Sequence, residues 1–260
     1  MDFTIKEHYD FEDLLALTKA LRAPDGCPWD SVQTHASVRR NFIEEVYEVC
    51  EAIDMDDPVH MCEELGDVLY QVLFHADIER EAGRFTTDDV VDGICKKLVA
   101  RHPFLFADEK ANTADDALDR WDNVKRSLNG YRTHTQAMDN VSRTLPALWR
   151  AEKLLGKAEK AGLNRADALE AVNALESSTA ELRRRVEAGE DAAEALGEAL
   201  FAATDAARKL SCDPEDALNE ALERFIRRFD KIEQDAAARG KSTNELSSGE
   251  LAACWENKER

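Results

Sequence analysis

Apolar residues recur every three or four positions over most of the chain, the spacing that lays one stripe along a helix. A first such run covers residues 10–22. A second begins near Ser37, and after one interruption the pattern continues to about Ala82, where Gly83 stops it. The interruption is Asp54-Met55-Asp56-Asp57-Pro58, with Asp57 placed to cap the following helix and Pro58 at its first position. The spacing predicts further helices from the Thr86-Thr87 cap to about Ala100, and over 114–128, 146–160, 166–189, 191–210 and 214–237, with a short one over 251–258. Helix therefore dominates, and the predicted class is all-α.

Residues 129–145 have weak periodicity and many turn formers. A linker at 131–145 then separates a first module, 1–130, from a second, 146–260. The two modules repeat each other in outline. Glu64-Leu65-Gly66-Asp67-Val68-Leu69-Tyr70 recurs as Ala195-Leu196-Gly197-Glu198-Ala199-Leu200-Phe201. Lys97 and Arg101 recur as Arg224 and Arg228, and Trp121 with Lys125 as Trp255 with Lys258. The order is kept and the separations are nearly constant, the signature of a duplicated helical module. The copies are unequal: Ala195 stands where the first has Glu64, and the Glu44-Glu45-x-x-Glu48 pattern is reduced to a lone Glu176 or, with a shift, Glu181.

The acids of the first copy carry its chemistry. Glu44, Glu45 and Glu48 lie three and four residues apart, so a helix makes their side chains neighbours. Glu64 and Asp67 are neighbours on the next helix, and the short connection makes the two helices antiparallel partners. Converging carboxylates repel one another, and partial burial raises the cost of ionising them. A divalent cation removes that cost, and an oxygen-only set suits Mg²⁺ or Mn²⁺. The competing reading is a wet helix face in a chain that is 34% charged. The apolar setting of Ile43, Val46, Tyr47, Val49 and Ile53, and of Leu65, Val68, Leu69, Val72, Leu73 and Ala76, argues against it.

Net charge narrows the partners. At −20 the chain is unsuited to a nucleic-acid polymer or an anionic membrane surface, but a nucleotide can still be held through a metal and a few cations. No apolar run is long enough to span a membrane, and the N-terminus lacks the pattern of a signal peptide, so a cytoplasmic protein is expected. The six cysteines form no C-x-x-C pair and read as reduced, mostly small core residues. No His has a Glu three residues before it, which disfavours a di-iron carboxylate bundle.

The motifs L-R-A-P-D-G-C-P-W-D, Q-T-H, F-I-E-E-V-Y-E, E-E-L-G-D-V-L-Y-Q-V, G-R-F and R-H-P-F-L-F occur in an order that resembles the MazG family of nucleoside triphosphate pyrophosphohydrolases. The resemblance covers nearly the whole chain and is strongest from Leu21 to Trp121. It implies two tandem four-helix-type modules of the all-α NTP pyrophosphatase fold, with bundles completed by homodimerisation. It implies Mg²⁺-dependent hydrolysis of (d)NTPs to (d)NMP and pyrophosphate, a nucleotide-pool house-cleaning activity. By position, Glu44, Glu45, Glu48, Glu64 and Asp67 would be the metal acids, and Lys97, Arg101, Trp121 and Lys125 the substrate contacts. Glu48 is the chosen water-activating base, with Glu45 its rival. In two-domain relatives the C-terminal module keeps its acids; here it lacks them, and the residues point to the N-terminal copy. The alternative is a catalytically silent helical scaffold or regulator. Trp29 could stack on a base or fill the core, Gln33 and His35 draw interest only from the family motif, and His75 reads as a supporting polar group.

Overall fold

The helix starts are set by side chains that satisfy the first backbone amides. In this computed structural model, which describes residues 3–106, 113, 117, 120–121, 124, 130–131, 133–163 and 167–256, every regular element is helical. The described chain forms two compact units, Met1–Leu128 and Asn129–Arg260. Most of the helix expected over 114–128 lies outside the described residues, Lys125 included.

The first unit opens with α1, Phe11–Arg22, capped reciprocally by Asp10 and Asp13. A tight turn follows, in which Gly26 is required by contact: a Cβ there would meet the Ala20 carbonyl oxygen at 2.2 Å. Helix α2, His35–Asp54, starts at a Thr34–Ser37 capping box. Helix α3, Pro58–Glu81, starts at Asp57, whose Oδ1 accepts from the amides of Val59 (3.0 Å) and His60 (3.1 Å). Helix α4, Thr87–Arg101, is capped by Thr86 and Asp89, and a single turn, α5, spans Pro103–Phe106.

Helices α2 and α3 run antiparallel. His35 at the start of α2 meets His75 and Glu79 late in α3, while Glu45 and Glu48 meet Glu64 near its start. Their shared core is small: Val38, Ala52, Leu73, Phe74 and Ala76. One buried cation joins α1 to it. Arg22 donates from Nη1 to the Asp30 carbonyl (2.7 Å) and from Nη2 to Glu81 (2.7 Å). Its Nε lies 3.7 Å from Asp77, and its guanidinium covers the Phe74 ring at 4.8 Å.

Much apolar surface stays open within one chain. Ile43, Val46 and Tyr47 on α2, Leu65 and Leu69 on α3, and Val90, Ile94 and Leu98 on α4 are all exposed. The cysteines share this setting and correct the expectation that they are core residues: Cys50, Cys62, Cys95 and Cys212 are exposed, and Cys27 and Cys254 are half-buried. Helical spacing does put most of them beside apolar residues, but on faces that one chain leaves uncovered. Trp29 is likewise exposed rather than core.

The second unit comprises α6 (His134–Asp139), α7 (Ala147–Lys160), α8 (Ala168–Ala188), α9 (Ala193–Lys209), α10 (Pro214–Ala238) and α11 (Ser248–Glu256). Helix α6 falls inside the stretch expected as a linker and packs on α7. Alanines let α8 and α9 approach closely: Ala171, Ala195, Ala199, Ala202 and Ala206 are buried. Glu159 of α7 clamps Arg208 and Lys209 of α9, and the Trp149 indole donates to Asp213, the cap of α10. Among the described residues no helix is long and apolar enough to cross a membrane.

Removing one partner of a buried charge network leaves the other charges uncompensated. Arg22→Ala is therefore expected to lower the unfolding free energy of the first unit by about 3 kcal/mol, read from urea denaturation. A loss below about 1 kcal/mol would show that Arg22 is not the tie between α1 and α3.

Candidate metal centre

Three carboxylates meet across the α2–α3 interface. One oxygen each from Glu45, Glu48 and Glu64 can lie within 4.8 Å of the others. Tertiary packing makes the choice: the rotation of α2 about its axis leaves Glu45 half-buried and Glu44 exposed. Glu44 instead accepts from Arg40 Nε at 2.8 Å. Asp67, one turn beyond Glu64, is exposed, and its negative charge reaches both Glu45 and Glu64.

The electrostatics are those of acids that repel one another. The Glu45 carboxyl is pushed above its ordinary value, first by burial, then by the adjoining Glu48, then by Asp67 and Glu64. The Glu64 carboxyl is also pushed up, chiefly by burial and then by Glu48. Its side chain has one opposing neighbour, His60, whose Nε2 stands 3.1 Å from Oε1. Among the described residues, no Lys or Arg forms an ion pair with Glu45, Glu48, Glu64 or Asp67. An all-oxygen cluster in which Glu45 and Glu64 resist ionising fits a hard divalent cation.

The second unit shows the contrast. Ala195, in the place of Glu64, is buried in the α8–α9 contact. Glu181 is gripped by Arg184 (2.8 Å) and Arg185 (3.0 Å), which hold its carboxyl down at about 2. That acid already has its cations.

Among the basic and aromatic candidates the structure brings Arg101 and Trp121 together. Lys97 is exposed on α4, one turn before Arg101. The Arg101 guanidinium lies over the Trp121 ring at 5.0 Å, and its buried Nε has no hydrogen-bond partner among the described residues. The second unit repeats the contact, with Arg228 over Trp255 at 5.3 Å. The repeat read from sequence thus recurs as the same pairing in space.

A polar relay lies at the far end of the α2–α3 pair. Arg84 holds Glu79, Glu79 meets His35 Nε2 at 2.5 Å, and His35 Nδ1 meets His75 Nδ1 at 2.7 Å. Arg84 above all, with help from His35, holds the Glu79 carboxyl at about 2. Burial, and then His35, push His75 below its ordinary value. Sequence reasoning singled out His35 and His75 but missed Glu79 and Arg84. It also missed His60. Spacings of four from His75 to Glu79 and from His60 to Glu64 are the signals that could have found them.

The family model for the MazG nucleotide pyrophosphohydrolase domain matches residues 33–106, which hold all five candidate acids. The chain is 36% identical over 246 residues to the nucleoside triphosphate pyrophosphohydrolase/pyrophosphatase MazG of Thermotoga maritima, covering 95% of this chain and 94% of that one. It is 35% identical over 252 residues to the nucleoside triphosphate pyrophosphohydrolase of Escherichia coli strain K12, covering 95% and 96%. It is 38% identical over 257 residues to the uncharacterized protein YabN of Bacillus subtilis, and there it spans 51% of the longer chain.

The relay makes stability depend on pH in two steps. Both folded values are depressed, so each contribution is present above the group's ordinary value and lost as pH falls. For His75, faced by His35 and the Phe42 ring, the loss begins at 6.5 and continues through its lowered value. For Glu79 it runs from 4.5 to about 2. In melting temperature against pH, His75→Gln should flatten the upper step and Glu79→Gln the lower. A His75→Gln profile parallel to that of the parent from pH 7 down to about 5 would refute the upper step.

Proposed function

The chain belongs to the MazG family of nucleoside triphosphate pyrophosphohydrolases, and from that premise we propose that its first unit hydrolyses (d)NTPs to (d)NMP and pyrophosphate with Mg²⁺, or Mn²⁺ in its place. The observation that carries this reading is the convergence of Glu45, Glu48 and Glu64 in the unit that the family model matches. The raised carboxyl values of Glu45 and Glu64, caused by burial and by the neighbouring acids, support a cation as the partner of this cluster.

In this reading Glu45, Glu48, Glu64 and Asp67 hold the ion, and Glu44, paired with Arg40, stands outside the group. A bound Mg²⁺ neutralises phosphate charge and polarises the bond to be broken. Glu48 is exposed at the mouth of the cluster, where it can take a proton from the attacking water, a role that Glu45 could share. Arg101, with its guanidinium on Trp121, steadies the charge that develops on the departing pyrophosphate, with Lys97 one turn away. Trp121 and Lys125 contact the substrate. The second unit, with Ala195 packed and Glu181 neutralised, acts in structure or regulation.

A homodimer completes the bundles. The open apolar faces of α2, α3 and α4 support a second copy of this chain as the cover. The setting is cytoplasmic house-cleaning of the nucleotide pool.

The test is pyrophosphate release by the full chain from eight ribo- and deoxyribonucleoside triphosphates with Mg²⁺. Glu48→Gln is expected to cut turnover about a hundred- to ten-thousandfold while nucleotide still binds. Arg228→Ala should leave turnover unchanged. Near-normal turnover by Glu48→Gln removes Glu48 as the base, and a loss with Arg228→Ala moves the site to the second unit. In sedimentation the parent should run as a dimer, and Val46→Glu with Leu69→Glu should shift it to monomer; a monomeric parent would refute the cover.

A further inference from the structure

In the chain of contacts Arg84–Glu79–His35–His75, each proton has few places to go. Arg84 forks onto Glu79, donating from Nε to one oxygen and from Nη2 to the other (2.7 Å), so the carboxylate stays ionised and can only accept. His35 Nε2, 2.5 Å from Glu79 Oε1, must therefore carry a hydrogen and donate it. A neutral imidazole has one N–H, so Nδ1 of neutral His35 is an acceptor. It lies 2.7 Å from Nδ1 of His75, which must then be the donor. The two rings hold opposite tautomers. The ring nitrogen that takes no part in the chain is His75 Nε2.

We infer that this chain is a proton-counting latch between α2 and α3: it holds with one added proton and opens with two. The first proton binds at His75 Nε2. The hydrogen on His75 Nδ1 then passes to His35 Nδ1, and the bond between the rings survives with its direction reversed. The positive charge comes to rest on His35, against the Glu79 carboxylate. A second proton has to bind at His75 Nδ1. Two N–H groups then face each other with no acceptor between them, on two cationic rings, and the contact breaks. Burial and the neighbouring His35 both oppose that second charge. The nearby acids of α3 do not relieve it, because Asp77 is engaged by Arg22 and Arg80, and Glu81 by Arg22. Opening releases the first turn of α2 from the end of α3. The latch stands without the metal reading; resting on that reading, its consequence is that acid loosens from the far end the register that brings Glu45, Glu48 and Glu64 together.

The test uses the full chain with ¹⁵N-labelled histidine and no metal or nucleotide. Imidazole nitrogen shifts report the tautomer and charge of each ring, and the coupling across N–H···N identifies the paired rings among the six histidines. Either His35→Gln or His75→Gln then assigns both partners, so one folded variant suffices. At about pH 8, His35 should be protonated at Nε2 and His75 at Nδ1. On acidification His35 should charge first, with the coupling retained. The second charge should abolish the coupling. At that step, and not at the first, amide exchange over 38–42, corrected for its intrinsic pH dependence, should rise at least about tenfold. The same tautomer in both rings overturns the inference, as does charging of His75 before His35. Exchange that rises with the first proton, or stays level through the second, also overturns it. None of these outcomes touches the metal reading, which the nucleotide assay tests separately.

Discussion

Mutual repulsion among carboxylates at one helix–helix contact governs the first unit. Glu45, Glu48 and Glu64 come within 4.8 Å of one another only because α2 and α3 keep a fixed antiparallel register. Nothing in the acids themselves favours that register; like charges oppose it. It has to be imposed from elsewhere, and the other features of the unit do so. Leu73, Phe74 and Ala76 pack the interior, Arg22 draws α1 onto α3, and the His75–His35–Glu79–Arg84 relay pins the far end.

The two units solve the same packing problem with opposite electrostatics. In the first, a cation on α1 reaches the acids of α3: Arg22 to Asp77 and Glu81. In the second, an acid on α7 reaches the bases of α9: Glu159 to Arg208 and Lys209. Each central helix also carries a buried aspartate paired with an arginine three residues on, Asp77 with Arg80 and Asp205 with Arg208. The scaffolding is comparable, and what separates the units is the contact between the long helices. One contact holds unneutralised acids, the other alanines.

The helices were legible because their signals are local. The Asp57-Pro58 start, the Thr86 cap and the Gly83 stop act within one turn, and each stands where its chemistry puts it. The repeat was legible too, since Arg101 on Trp121 and Arg228 on Trp255 need only matching positions in matching helices. The acids were legible as a group but not individually. Spacing alone cannot say whether Glu44 or Glu45 faces the partner helix, because that depends on the rotation of α2 about its axis, which tertiary packing fixes. The cysteines misled for a related reason: Cys50 and Cys62 follow the apolar pattern, but the pattern runs over exposed positions as well as buried ones. Arg22 was invisible, since a buried cation at the end of an amphipathic helix looks like any other last-turn base until its partners are known.

The position shared by Glu64 and Ala195 makes the two units unequal hosts for a carboxylate. Ala195 fills its place in a close-packed layer of alanines. A glutamate put there would meet steric overpacking as well as a buried charge without a partner. Glu181 is no substitute, because two arginines already hold it. A single exchange at position 195 would therefore disturb the packing of the second unit without building an acid cluster in it.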